Sequence, residues 1–142
     1  MKIISIVSVC LLLTAGIFAQ TAQEKDETSK LKKLSVAKVD ADGNITENPE
    51  FFSVKDIPIT TYVDLETDKP TMIRMEFIAV KAKGLRPNTK FFTARYKTKD
   101  GETGAVFTTK PKTLWAEGDY RVDIYLDTDL AGSREFKIAN GK

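Results

Sequence analysis

No histidine occurs anywhere in the chain. That removes the commonest general base, the usual zinc ligand and the side chain that titrates near neutrality unaided. Cysteine is nearly absent too: the single thiol, Cys10, sits inside an apolar run near the start. An exported domain built from the remainder forgoes disulfides, which suits a bacterial envelope better than an animal secretory pathway. Charge of one sign is also lacking, with 22 Lys and Arg against 20 Asp and Glu. No basic run is long enough to track a phosphate backbone, so nucleic acid is not an expected partner. No segment carries a helical period of apolar residues, and no internal repeat is visible.

What is present begins with a leader. Lys2 supplies a positive start, Ile3 to Phe18 is an apolar run with Gly16 near its end, and Ala19 is a small residue ahead of polar sequence. This order predicts a signal peptide over residues 1–19 cleaved after Ala19, with a site after Ala22 as the second candidate. The run is near the short end of what crosses a bilayer, and no membrane span is expected once it is removed. Cys10 does not stand where a lipoprotein cysteine would, after the small residues at the cleavage point. The expected location is periplasmic or extracellular. Residues 20–33, with Lys25, Lys30, Lys32 and Lys33 and little apolar content, read as a polar tether. Residues 34–142 then form one domain, large enough to bury a core without disulfides or metals.

Within that domain the apolar residues alternate with polar ones. Tyr120, Val122, Ile124 and Leu126 alternate with Arg121, Asp123, Tyr125 and Asp127, the period of a strand with one buried face. The six residues after Leu126 have turn composition, and Phe136 and Ile138 resume the alternation, so these two segments read as a closing hairpin. Leu34 to Val39, Ile57 to Leu65, Ile73 to Ala79, Phe92 to Tyr96 and Ala105 to Thr109 supply five more strands. Asp100-Gly101 between the last two is a hairpin signal. Phe51, Phe52 and Val54 form a short apolar island. Leu114, Gly118 and Tyr120 have the spacing of a tyrosine corner. The expected fold class is all-β, a seven-stranded antiparallel sandwich.

On these residues a resemblance can be named. Trp115-Ala116-Glu117-Gly118-Asp119-Tyr120-Arg121-Val122 resembles the W-x-x-G-x-Y-x-V stretch of immunoglobulin-like and fibronectin type III-like domains of exported bacterial proteins. Ser133-Arg134-Glu135-Phe136 is similar to their closing strand. The likeness runs from about Leu34 to Ile138 and implies an Ig-like β-sandwich used as a spacer, an adhesion module or a ligand-binding module. The paired cysteines of antibody domains are missing, which sets that subclass aside. These motifs specify a fold and carry no chemistry.

Residue patterns that suggest chemistry are few. Asp40-Ala41-Asp42-Gly43-Asn44 alternates oxygen side chains as a calcium loop does, but Ile45 stands where the sharp-turn glycine belongs and Phe51 where the bidentate carboxylate belongs. A surface turn is expected there, and no metal or cofactor. Asn44-Ile45-Thr46 is a glycosylation sequon, meaningful only in a host that glycosylates. A Ser–Lys pair or the carboxylates Asp123 and Asp127, on one outer strand face, are the remaining catalytic arrangements. Nothing in the spacing singles either out, and the chain is not expected to be an enzyme. Phe77, Phe92, Tyr96, Phe107, Trp115, Tyr120 and Phe136 are expected in the core. Tyr62, Phe91 and Tyr125 fall on outer faces and are the candidate binding residues. The expected function is an exported non-catalytic interaction module with a protein partner, such as an accessory subunit of an envelope or surface assembly. A carbohydrate- or small-ligand-binding protein using an outer sheet face is the alternative.

Overall fold

Nine strands make up residues 30–141, the part of the chain that the computed structural model describes. They are β1 (Leu31–Val39), β2 (Ile45–Glu47), β3 (Phe52–Ser53), β4 (Ile59–Leu65), β5 (Met72–Ala82), β6 (Thr89–Lys97), β7 (Gly104–Thr109), β8 (Gly118–Leu126) and β9 (Asp129–Ala139). The expected leader and residues 20–29 of the expected tether lie outside the described residues. Among the described residues there is no helix, and so none long and apolar enough to cross a membrane.

Four strands in the order β2-β1-β4-β7 form one sheet, and five in the order β3-β9-β8-β5-β6 form the other. Both sheets contribute to one core. Ile59, Val63 and Leu65 of β4 and Phe107 of β7 enter it from the first sheet. Ile73, Met75, Phe77 and Ala79 of β5, with Tyr120, Val122, Ile124 and Leu126 of β8, enter from the second. The period-2 alternation predicted for these segments is therefore the inward-facing set. An aromatic column crosses the middle. Trp115 stacks on Phe77 at 5.3 Å between centroids, Phe136 meets Phe77 edge-on at 5.4 Å, and Phe52 meets Phe136 edge-on at 5.3 Å.

Several expectations need correction. The fold has nine strands rather than seven, because the island around Phe52 and the segment after the Asp40 turn also pair. The Phe52 strand runs parallel to β9, with Phe52 opposite Ile138, so the sheets are not wholly antiparallel. β1 begins at Leu31, inside the expected tether, because Leu31 pairs with Leu65 and packs against the core. The β8–β9 turn is two residues long rather than six. Asp127 adopts the left-handed conformation (φ 56°) that aspartate tolerates, and β9 starts at once.

Asp100-Gly101 does not close a hairpin, since β6 and β7 lie in different sheets. The backbone donors of this loop go elsewhere: Gly101 N–H to Asp68 O at 2.8 Å and Thr98 N–H to Thr71 O at 3.0 Å. The side chain of Glu102 accepts from Lys99 N–H at 2.7 Å. The loop is thereby fastened to the β4–β5 connection and carries the chain from one sheet to the other.

Candidate functional site

The segment between β7 and β8 is where the sequence motif and the open side of the fold meet. Trp115 is buried there, its backbone N–H donating to Val54 O at 3.1 Å and its indole N–H to Asp56 O at 2.7 Å. Tyr120 is buried as well, and its hydroxyl donates to Ala116 O at 2.7 Å, closing the predicted corner. Burial raises the Tyr120 phenol above its ordinary pKa. Gly118 between them has φ 153°, and a side chain there would run into Lys81 O and the Cα of Ala82. Strand β8 thus approaches β5 at a distance only glycine allows. With Trp115 turned inward, its neighbour Leu114 is turned out and stands 55% exposed. The motif leucine expected in the corner is a rim residue instead.

Across from this loop runs β6, an edge strand of the five-stranded sheet. Phe92, Ala94 and Tyr96 lie opposite the inward residues Phe77, Met75 and Ile73, so they have the predicted direction. Yet Phe92 and Tyr96 remain exposed, on a strand that is paired on one side only. The pairing also slips by one residue beside Phe77: Phe92 faces Phe77 while Lys90 faces Ile78. This bulge turns Phe91 toward the core side, 5.5 Å from Trp115 and 6.1 Å from Phe77 between ring centroids. Phe91, expected on an outer face, is therefore corrected to this inner edge.

Together these residues enclose a groove of about 450 Å³. Its floor is Phe91, Trp115 and Tyr120, and its walls include Leu85, Phe92 and Leu114. Lys110 and Lys112 also line it, and no carboxylate does. That volume falls in the range of ligand pockets, and the lining is apolar with a few cationic groups, which suits an apolar group carrying negative charge.

Tyr62 and Tyr125 lie elsewhere. Tyr62 is half-buried on the outer face of the four-stranded sheet, opposite Ser35 and Val106. Tyr125 is half-buried on the outer face of the five-stranded sheet, with the Arg74 guanidinium 4.1 Å from its ring centre. The three candidate aromatics thus occupy three separate surfaces. Sequence reasoning singled out Phe91 but put it on an outer face, and it missed Leu85, Leu114, Lys110 and Lys112 as lining residues. The one available signal was Phe91-Phe92, two adjacent apolar residues in an alternating strand, which marks a bulge.

The carboxylates also rearrange. Asp127 sits in the β8–β9 turn rather than beside Asp123, accepting from Met72 N–H at 3.3 Å. Asp123 instead lies directly opposite Glu76, both buried on the outer face of the five-stranded sheet. Asp123 accepts from Arg121 Nε at 2.8 Å and Ser133 Oγ at 2.6 Å, while Lys90 holds Glu76 at 3.2 Å. Each carboxylate is neutralised by its own cation. At the Asp40 turn, Oδ1 accepts from the N–H groups of Asp42 (2.9 Å) and Asn44 (2.8 Å). Oδ2 takes the Asn44 amide at 2.9 Å. This closes a β1–β2 turn and lowers the Asp40 pKa, chiefly through the Asn44 side chain.

No protein-family model and no curated protein matches the chain. Among solved structures it is similar to the Pseudomonas fluorescens alkylpurine DNA glycosylase AlkC bound to DNA containing an abasic site analog. The identity is 14% and the TM-score 0.44, over 77% of this chain and 30% of the length of that one. That neighbour is an enzyme held on DNA, so the expectations that this chain is not an enzyme and does not meet nucleic acid are withdrawn. At this TM-score the likeness assigns neither property to the chain.

Proposed function

We propose that this chain is an exported interaction module of immunoglobulin-like fold whose groove receives an apolar side chain from an acidic segment of a protein partner. Strand order supports the fold reading. Strands β1-β4-β7 opposite β6-β5-β8-β9 follow the order of strands A-B-E opposite C′-C-F-G in immunoglobulin-like domains, with β2 and β3 as short additions. The bond from Tyr120 to Ala116 stands where such domains carry their tyrosine corner. Export rests on the order of Lys2, the apolar run and Ala19. An accessory subunit of an envelope assembly is the setting this reading fits.

The observation that carries the binding reading is the groove itself. Leu114, Phe92 and Leu85 expose apolar surface around an aromatic floor that hydrogen bonds hold rigid. A contiguous exposed apolar surface on a small domain marks an interaction site more often than a packing accident. Lys110 and Lys112 set the preferred sign of the partner. The test is a peptide array in which one leucine or phenylalanine is flanked by acidic, neutral or basic residues. Acid-flanked peptides bind, and Leu114→Glu abolishes the signal without changing the melting temperature, since Leu114 lies outside the core. Equal binding of acid- and base-flanked peptides, or unchanged binding by Leu114→Glu, refutes the groove.

A further inference from the structure

Three of the four sheet edges are guarded against pairing. β2 and β3 are three and two residues long, and β6 carries a bulge together with Lys90, Arg95 and Lys97. The fourth edge, β7, reads Gly104-Ala105-Val106-Phe107-Thr108-Thr109, with no charge, no proline and no break in register against β4. Among the described residues nothing pairs with its far side.

Hydrogen-bond parity tells which backbone groups that side presents. Leu65 N–H donates to Thr103 O at 2.7 Å, so Thr103 belongs to the bonded set facing β4. Bonded and non-bonded positions alternate along an antiparallel pair, which directs Ala105, Phe107 and Thr109 to β4 as well. Gly104, Val106 and Thr108 therefore aim their N–H and C=O groups outward. Space is open there, since a groove of about 520 Å³ between Tyr96 and residues 101–106 runs beside this edge. Val106 shows the same lack of cover, standing 61% exposed on the outer face.

We infer that a second copy of this chain pairs with this edge, its own β7 antiparallel to the first about a two-fold axis at Val106. A two-fold contact requires a surface complementary to itself, and β7 meets that requirement. With Val106 opposite its equivalent, Gly104 falls opposite Thr108, so every outward donor and acceptor of one copy meets one of the other. The same register sets Glu102 of each copy opposite Lys110 of its mate, flanking an uncharged middle with opposite charges at both ends. The two Val106 side chains cover each other on the outer face. This contact uses none of the aromatic floor or apolar wall residues of the groove and shares only Lys110 with it, so Val106→Lys separates the two sites.

Sedimentation velocity on exported protein from the full chain, at concentrations up to roughly 100 μM, tests the pairing, since this range populates even a weak complex. The wild type sediments as a dimer. Val106→Lys, which sets two like charges face to face, sediments as a monomer with an unchanged melting temperature. Lys110→Glu weakens the dimer by placing Glu102 against a glutamate, and adding Glu102→Lys restores it. Oxidised Val106→Cys links two chains through a disulfide, because paired strands hold such Cα atoms about 5.5 Å apart, within disulfide reach. Thr108→Cys does not, and the wild type controls for Cys10. A monomeric wild type with no linkage at Val106→Cys overturns the inference. So does a monomer that instead carries a strand from a different protein, lost in Val106→Lys.

Discussion

The hydroxyl of Tyr120 reaches back four residues to the carbonyl oxygen of Ala116, and this 2.7 Å bond holds the turn from which Trp115 enters the core. Both rings lie against Phe77, at 5.8 Å and 5.3 Å between centroids. Removing the bond with Tyr120→Phe should cost about 1 kcal/mol, the worth of one well-formed internal hydrogen bond. Trp115→Ala removes a buried ring and its bond to Asp56, and should cost roughly 3 kcal/mol or more. Denaturant melts check both. Two unchanged midpoints would mean that this corner does not anchor the fold.

Alkaline pH should weaken the fold partly through the same tyrosine. Burial raises the Tyr120 pKa above the ordinary value of 10.0, and a hydrogen bond to Glu102 raises that of Tyr96. The unfolded chain therefore ionises first as pH rises. The contribution of these two groups is complete below their ordinary pKa and is lost as pH climbs toward the raised ones. Tyr120→Phe should give a shallower fall in melting temperature as pH rises above the ordinary tyrosine pKa of about 10 than the wild type shows. Parallel curves would place the Tyr120 phenol in contact with water.

A core threonine offers the opposite sign. Thr61 is fully buried between Val36 and Phe107 on neighbouring strands, and its hydroxyl has no hydrogen-bond partner. Thr61→Val keeps the branched shape and removes the unpaired polar atom. It should stabilise the domain by about 1 kcal/mol, read as a higher denaturant midpoint at constant slope. A loss of stability would mean that the hydroxyl is satisfied.

Export has its own check. The mature protein should begin at Gln20 or Gln23 by intact mass, reflecting cleavage after Ala19 or Ala22. Mature protein retaining Met1 would contradict the leader.

How much of this was legible in the sequence follows from which forces are local. The alternation in β4, β5 and β8 could be read because both faces of a central strand declare themselves: Ile73, Met75 and Phe77 are buried, while Arg74 is not. The corner was legible as well, because its bond spans four residues and its glycine is sterically required. Edge effects were not. Whether Phe92 and Tyr96 are covered depends on where β6 stands in its sheet, which no periodicity in β6 encodes. The parallel pairing of Phe52 with Ile138 joins residues far apart in sequence, and the packing of Phe52 on Phe136 that accompanies it is equally non-local. Asp100-Gly101 carried a local turn preference that was correct, but the strands on either side went to different sheets because Thr98 and Gly101 bond to the β4–β5 connection. The groove arises from these non-local choices. Its lining residues come from the β5–β6 turn, the β6 bulge, the β7–β8 loop and the start of β8, and no single stretch displays it.

The most direct measurement uses the chain's one tryptophan, which forms the groove floor. Trp115 emission is followed while a peptide with a central leucine-phenylalanine pair between acidic residues is titrated in, and again with a lysine-flanked version of the same peptide. The account predicts a saturable change with the acidic peptide only. Its midpoint should move at least tenfold weaker for Lys110→Glu/Lys112→Glu, roughly 1.4 kcal/mol of lost attraction. Emission unmoved by the acidic peptide, or moved equally by both peptides, would contradict it.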